Sequence, residues 1–506
     1  MAKVKGAADT FKQTGLPKVP TGIHGFDEIT AGGLPKGRPT LLCGVAGSGK
    51  TVFAMEFLVR GALQYNEPGV YMAFEEGVDD LTDNFRSMGF DLEGLRVRKQ
   101  LVIDHVLLDR GEIRETGEYN LEGLFARIDQ ATQSVGAKRI VLDSVEALFS
   151  GLPDAALLRA ELSRLFHWLK DRNLTAVVTG ERGSGTLTRH GLEEYVSDCV
   201  ILLDHRVNEQ VSTRRLRIVK YRGSTHGQNE YPFLLTPKGV SIISVTGLAL
   251  EYKALAERIS SGIVGLDAML EGKGYFRGST VLVSGTAGTG KTSFAASFVT
   301  AACRRGEGSL YFAFEESASH LSRNMRSIGI DLERWANKGL LLVRAVRPTR
   351  YGLEAHLLEM EELVAEFKPS VVVVDPLTPF GPIGTLIDIQ VMLTRLIDFL
   401  RSNGTTVLFT SLAPSGLPFE QTAAGVSSVI DTWIVQRELE VGGERTRTLH
   451  ILKSRGMAHS MRLAKVILSD RGVEVFGGAT STPKGKASRS RDVPMRRRSL
   501  EEARET

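Results

Sequence analysis

Short, almost uninterrupted apolar runs recur along this chain of 506 residues, separated by longer stretches in which apolar residues return every three or four positions. In the first half the runs are Thr40–Cys43, Gly69–Phe74, Leu101–His105, Arg139–Leu142 and Thr175–Thr179. Runs of this length without polar alternation read as strands covered on both faces. Leu121–Val135 and Ala155–Arg172 carry the helical spacing and lie between them. Strands alternating with helices predict an α/β fold with a mostly parallel sheet flanked by helices. In such sheets ligands bind at the carboxyl ends of the strands. The motifs described below are all expected at those ends, converging in space.

The second half repeats the first. Thr21-Gly-Ile-His-Gly-Phe-Asp27 is echoed by Ser261-Gly-Ile-Val-Gly-Leu-Asp267. Val70-Tyr-Met-Ala-Phe-Glu75-Glu76 is echoed by Leu310-Tyr-Phe-Ala-Phe-Glu315-Glu316. Arg139-Ile-Val-Leu-Asp143 returns as Val371-Val-Val-Val-Asp375, and Lys220-Tyr-Arg222-Gly223 as Lys453-Ser-Arg455-Gly456. Matches in constant order indicate a tandem duplication of one domain, each copy large enough for its own core. The chain divides into a segment 1–16, a first domain 17–247, a second domain 248–477 and a tail 478–506, with the junction near Val245–Glu257.

The chemistry is carried by a second pair of echoes. Gly44-Val-Ala-Gly47-Ser48-Gly49-Lys50-Thr51 and Gly285-Thr-Ala-Gly288-Thr289-Gly290-Lys291-Thr292 each follow an apolar run and precede a helical stretch, Val52–Arg60 or Ser293–Cys303. A chance glycine-rich turn would not come twice with this context. Backbone N–H groups at a helix N-terminus cradle phosphates, Lys50 or Lys291 reaches the terminal phosphates, and Thr51 or Thr292 binds magnesium. Asp143 and Asp375 each close a strand where a carboxylate helps to hold that magnesium. An aspartate after a strand is common, and gains meaning only beside the loop. Glu75, Glu76, Glu315 and Glu316 also end strands, where one carboxylate of each pair can deprotonate a hydroxyl or water facing the last phosphate. Their alternative role is an acidic pair favoured by a helix dipole. Lys220, Arg222, Lys453 and Arg455 are candidates for a positive clamp on the transferring phosphate, or are hairpin surface charges.

Composition narrows the setting. Of 63 Lys/Arg and 59 Asp/Glu, eight and four fall from Gly478 onward, leaving a body with 55 of each sign. The tail is rich in Ser, Pro and Gly and too poor in bulky apolar residues to fold alone; it reads as a solvated segment or a docking element. No apolar run is long enough to span a bilayer, and Met1–Thr14 has no secretion core. Cys43, Cys199 and Cys303 form no C-x-x-C pair, so a reducing cytoplasm is expected.

From about Lys18 to Phe476 these features together resemble the KaiC family, the hexameric ATPases and autokinases of the bacterial circadian clock within the RecA-like superfamily. The resemblance includes Thr225-His226, Glu230-Tyr-Pro-Phe233 and Phe314-Glu-Glu-Ser317. It implies two tandem RecA-like P-loop domains, binding of ATP and Mg2+, and a double-ring homohexamer, alone or stacked as a dodecamer. The first ring hydrolyses ATP. The second phosphorylates itself and removes the phosphate, with Lys220, Arg222, Lys453 and Arg455 reaching ATP on the adjacent subunit. Aligning Asp198 with Asp431 sets Glu194-Tyr195 opposite Ser427-Ser428. The family has a Ser-Thr pair of phosphate acceptors there, so Ser427 and Ser428 are the expected acceptors, with Glu315 and Glu316 as base candidates and Thr422 as an auxiliary hydroxyl. Two departures stand out. Pro376–Pro382 lacks the family's arginine, and the tail does not resemble the segment that binds the activator KaiA. A protein working without KaiA, with a KaiB-like partner, is expected. The rival is a RecA- or RadA-type DNA recombination motor, or a KaiC-like ATPase in signalling outside the clock. The neutral body offers no basic face for phosphate backbones, so nucleic acid is not an expected partner.

Overall fold

Two nine-stranded sheets, one from each half of the chain, carry the fold in the computed structural model. It describes residues 15–106, 121–149, 155–183, 197–208, 211–243, 255–413, 428–441 and 444–477. The segment 1–14, the tail 478–506 and most of the expected junction lie outside these residues.

Across the first sheet the strands run Leu101–His105, Gly69–Ala73, Arg139–Asp143, Thr175–Glu181, Pro39–Gly44, Cys199–Asn208, Val211–Tyr221, Glu230–Thr236 and Gly239–Ile242. The first six are parallel, and the last three continue as an antiparallel meander. The second sheet repeats this order: Leu341–Ala345, Ser309–Ala313, Val371–Asp375, Thr406–Leu412, Thr280–Gly285, Thr432–Val441, Glu444–Ser454, Ala464–Ser469 and Gly472–Phe476. The sequence duplication is therefore a duplication of topology. Two tandem α/β domains result, each a mostly parallel sheet between helices.

The apolar runs form strands because both faces are covered. Val371–Asp375 is four valines and an aspartate, all buried; β-branched side chains suit a pleated surface. In the first domain, Leu42, Tyr71, Val141 and Val177 face the helix Lys50–Tyr65 with its Phe53, Phe57 and Leu58. The alternate residues Val70, Met72, Ile140, Leu142 and Val178 face the other way, onto Leu124, Ile128, Leu162 and Leu165 of the helices Glu122–Val135 and Ala155–Asp171. Each large side chain buried in this way contributes about 1.5–3 kcal/mol.

The helix after the first phosphate loop is longer than its apolar spacing suggests, Lys50–Tyr65 against Val52–Arg60. Its start is fixed by Gly49 at φ 102°, and its end by Asn66 at φ 53°. A backbone with φ near +100° costs a side-chain-bearing residue heavily, which is why glycine precedes the lysine in both loops. Between the domains, Arg215 donates to Glu354 at 2.8 Å and Lys238 pairs with Glu362 at 3.6 Å. Among the described residues no helix is long and apolar enough to cross a membrane.

Candidate functional site

The parallel register brings the strand ends together. Gly44 lies level with Glu181, and Ala73 with Asp143. The phosphate loop, Asp143 and the Glu75-Glu76 pair thus share the carboxyl edge of the first sheet. A cleft there is lined by Thr51, Tyr71, Glu75, Glu76 and Asp143. The Lys50 ammonium is held by the Gly44 and Val45 carbonyls at 2.9 and 3.2 Å. Thr51 donates to Asp143 Oδ2 at 2.9 Å, and the Tyr71 phenol donates to the same oxygen. Thr179 donates to Asp143 Oδ1. Ser144 donates to Glu75 Oε1 at 2.6 Å. Burial, reinforced by Asp143, Asp80 and Glu75, pushes the Glu76 carboxyl up.

The second site repeats the frame with changes. Lys291 reaches the Gly285 and Thr286 carbonyls at 3.0 and 2.7 Å. Burial lowers its pKa, opposed by Asp375 and Glu315. Tyr311 donates to Asp375 Oδ2 at 2.5 Å, and Thr410 to Oδ1. Thr292 opens the helix Lys291–Arg304 directly after Lys291. Here the raised carboxyl is Glu315. Burial and Asp375 drive it up, while Lys291 and Arg347 oppose the rise. Glu316 accepts from Asn324 at 3.2 Å. A cleft of about 310 Å³ holds Glu315, Glu316, Ser317, His320 and Arg347.

These donor sets suit magnesium. A carboxylate beside a threonine hydroxyl at the first P-loop, and a carboxylate at the same strand end in the second, are hard oxygen ligands. Magnesium takes only one or two such groups from a protein and the rest from phosphates and water.

Gly47 and Gly288 adopt φ 73° and 81°, which turns the loop. Ser48 and Thr289 are fully buried, and the Thr289 hydroxyl donates to the Thr286 carbonyl at 2.9 Å. The Ser48 N–H is itself used by the Val45 carbonyl at 3.2 Å. The Thr289 hydroxyl thus ties its loop to itself, while the buried Ser48 hydroxyl meets no hydrogen-bond partner among the described residues.

One expectation is corrected. The Lys-x-Arg-Gly motifs do not sit at the carboxyl edge of their own sheet. Lys220 pairs with Val200, whose neighbour in the phosphate-loop strand is Leu41, three residues before Gly44. Three residues of strand span about 10 Å before the loop itself is added. The reason is the hairpin: the strand Val211–Tyr221 runs backward, so its end reaches the opposite, amino edge. Lys453, opposite Trp433, follows the same path in the second sheet. At that edge Arg222 reaches Asp198 at 3.4 Å, and Arg455 donates to the Ser428 carbonyl at 2.7 Å. The Arg222 and Arg455 N–H groups bond the Asp198 and Asp431 carbonyls at 2.8 and 2.9 Å, which supports aligning those aspartates. Ser428 is exposed at the amino edge. Ser427, Thr422 and Glu194-Tyr195 lie outside the described residues.

Sequence reasoning passed over several residues. Arg214 donates to the Gly47 carbonyl at 3.4 Å and Arg447 to the Gly288 carbonyl at 3.1 Å, each six positions before the motif lysine. That shared offset was the available signal. Tyr71 and Tyr311 stand inside a quoted repeat, yet only the fold reveals that their phenols face the aspartates.

Comparison with known proteins completes the picture. A family described as "ATPase: KaiC" matches residues 19–247 and again 259–480. The "Circadian clock protein KaiC2" of Synechocystis sp. is 52% identical over 470 residues, covering 92% of this chain and 83% of that protein. The "Circadian clock oscillator protein KaiC" of Parathermosynechococcus lividus is 37% identical over 471 residues, covering 92% and 87%. The "Circadian clock protein KaiC3" of Synechocystis sp. is 38% identical over 466 residues, covering 91% and 92%. With both copies matched and their phosphate loops facing paired carboxylates, the chain belongs to the KaiC family of ATPases.

Proposed function

We propose that this KaiC-family ATPase is also a serine autokinase and autophosphatase, assembled as a double-ring hexamer, and that it works as a core component of a bacterial circadian clock or timer in the cytoplasm. The observation that carries the assembly is the polarity of each domain. Lys50, Asp143 and Glu75-Glu76 occupy one edge of the first sheet, and Lys220 and Arg222 the opposite edge. The second sheet repeats this with Lys291, Asp375 and Glu315-Glu316 against Lys453, Arg455 and Ser428. A subunit with this layout offers its clamp and acceptor to a neighbour's site. Head-to-tail contacts of that kind generate rings when the rotation closes.

Magnesium would be held by Thr51 with Asp143 and by Thr292 with Asp375, supplying positive charge to the phosphates. Lys291 binds the terminal phosphates of ATP. Glu315, whose raised pKa brings it closer to neutral pH, takes the proton as the serine oxygen attacks the γ-phosphorus, the bond to the β,γ-bridging oxygen breaks and ADP leaves. Arg455 then faces the charge that builds on the transferring group. The division of labour follows from the second copy alone carrying adjacent hydroxyls, Ser427 and Ser428, before its final parallel strand. A KaiB-like protein is the partner favoured by kinship with clock proteins.

The test is mass-spectrometric mapping after incubation with Mg-ATP, with the Ser427→Ala/Ser428→Ala double variant alongside. Label lost while most hydrolysis persists is the expected result. Undiminished label in the double variant refutes the acceptor assignment.

A further inference from the structure

His356 is buried, 1% exposed, and lies outside the machinery described so far. It sits in the helix Leu353–Phe367. Its Nε2 lies 2.8 Å from the Pro348 carbonyl. A carbonyl only accepts, so Nε2 carries the hydrogen and the ring donates. Burial depresses the imidazole pKa, which favours that neutral form, while Glu359 pulls the other way.

The ring's neighbours come from three different strand ends. Phe314 follows the strand Ser309–Ala313 and immediately precedes Glu315. Phe380 lies in the short helix Thr378–Ile383 that follows Asp375. Pro348 and Tyr351 follow the strand Leu341–Ala345, just after Arg347. The His356 ring stands edge-on to Phe314 at 5.7 Å, to Phe380 at 5.6 Å and to Tyr351 at 5.6 Å; Phe314 and Phe380 meet at 4.7 Å. One imidazole therefore touches each of the three loops that deliver Glu315, Asp375 and Arg347 to the second site. Glu315 and Arg347 line one cleft, and the arginine's charge acts on that carboxyl.

The helix at the matching place in the first copy carries leucine instead. Both helices lie the same distance before the next strand, fifteen residues separating His356 from Val371 and Leu124 from Arg139. Leu124 packs there in an apolar cluster with Phe74. Leucine fills space but ties no backbone carbonyl.

We propose that His356 is a positioning residue specific to the second site, whose hydrogen bond to Pro348 and ring contacts fix Arg347 and Glu315 relative to Asp375. Buried and absent from the cleft lining, it acts through those residues. Aromatic contacts alone leave the loop carrying Arg347 free to slide along the ring; the bond to a backbone carbonyl sets its place. Misplacement of about 1 Å at a reacting centre can cost up to roughly a hundredfold in rate.

The inference rests on the second site turning over ATP, and the experiment separates it from the autokinase reading. Full-length chains carry Glu75→Gln/Glu76→Gln, which silences the first site. Phosphate incorporation and ATP hydrolysis by the second site are followed in this background with His356 intact, as His356→Leu, and as His356→Gln. Glutamine keeps a donor near Nε2, whereas leucine reproduces the first copy. Leucine is expected to lower the second-site rate about tenfold or more with KM for ATP nearly unchanged, and glutamine to restore most of it. If incorporation is absent throughout but hydrolysis follows this pattern, the autokinase reading fails and the inference stands. An unchanged rate in the leucine variant overturns it, as does an equal loss in both variants or a second site inert even with His356 intact. Should the leucine chain fail to fold, Arg347→Ala replaces it. An Arg347→Ala rate equal to that of the unaltered loop then overturns the inference, because the loop fixed by His356 would have no part in turnover.

Discussion

Replacing Tyr311 by phenylalanine removes one oxygen from the centre of the second domain and almost nothing else. The phenol is fully buried and donates to Asp375 Oδ2 at 2.5 Å. Its pKa is driven well above the ordinary value by burial and by the Asp375 charge, so it stays a donor at every working pH. A hydrogen bond to a charged group contributes about 1.5–3 kcal/mol. The ring's apolar burial is unchanged by the substitution. The loss should appear as a fall of roughly 3–12 °C in the melting point of the second domain. Phosphorylation should fall about tenfold, since Asp375 keeps its bond from Thr410 but loses the partner that fixes its other oxygen. The decisive measurement is a double-mutant cycle by urea denaturation with Tyr311→Phe, Asp375→Asn and the pair. A coupling near 1.5–3 kcal/mol is expected; a value under about 0.5 kcal/mol would mean the contact carries no specific energy.

Three other perturbations test separate parts of the argument. Chains bearing Lys291→Ala and chains bearing Arg455→Ala, each inactive in phosphorylation alone, should regain part of it when mixed and reassembled; no recovery would count against clamps acting across subunits. The raised Glu315 carboxyl binds a proton to higher pH than in the unfolded chain, so its stabilising contribution is present below the unfolded pKa and is lost as pH rises through the folded one. As a base it works only above that raised value, so the acid limb of the phosphorylation profile should lie at higher pH than for an ordinary glutamate, and Asn324→Ala, whose amide bonds Glu316 and Arg323 but not Glu315, should leave that limb in place. Arg139→Met should cost about 3 kcal/mol by urea titration, because the buried guanidinium satisfies the Phe57 and Pro20 carbonyls at 2.9 and 2.8 Å as well as Glu67; a cost under about 1 kcal/mol would refute that account.

What could be read from the sequence was whatever is local. The phosphate loops, the strand-ending aspartates and the Glu-Glu pairs were legible because a loop, its flanking strand and its helix are contiguous in the chain. The parallel core was legible from unbroken apolar runs such as Val371–Val374, which lack the polar alternation of a strand with one wet face. The place of Lys220 and Lys453 was not, because a reversed strand carries the same side-chain pattern as a forward one. Polarity comes from pairing, and pairing is long-range. The same holds for Tyr311, His356 and Arg447: their partners lie 64, 8 and 159 positions away, reached by folding and not by spacing. Thr289 adds a detail the motif alone does not carry: its hydroxyl bonds the Thr286 carbonyl of its own loop.

The opposed edges of each sheet have an arithmetic consequence. On the proposed reading a working site belongs to a contact between two chains and not to either chain, so an isolated subunit holds two half-sites of each kind that never meet. In a closed ring the count of whole sites equals the count of subunits; in an open arc it is one fewer. One subunit lacking both loop lysine and clamp would silence two adjacent sites, its own and its neighbour's, while a subunit lacking only one would silence a single site. Activity would then climb with chain concentration more steeply than in simple proportion, and turnover itself would count the contacts formed between chains.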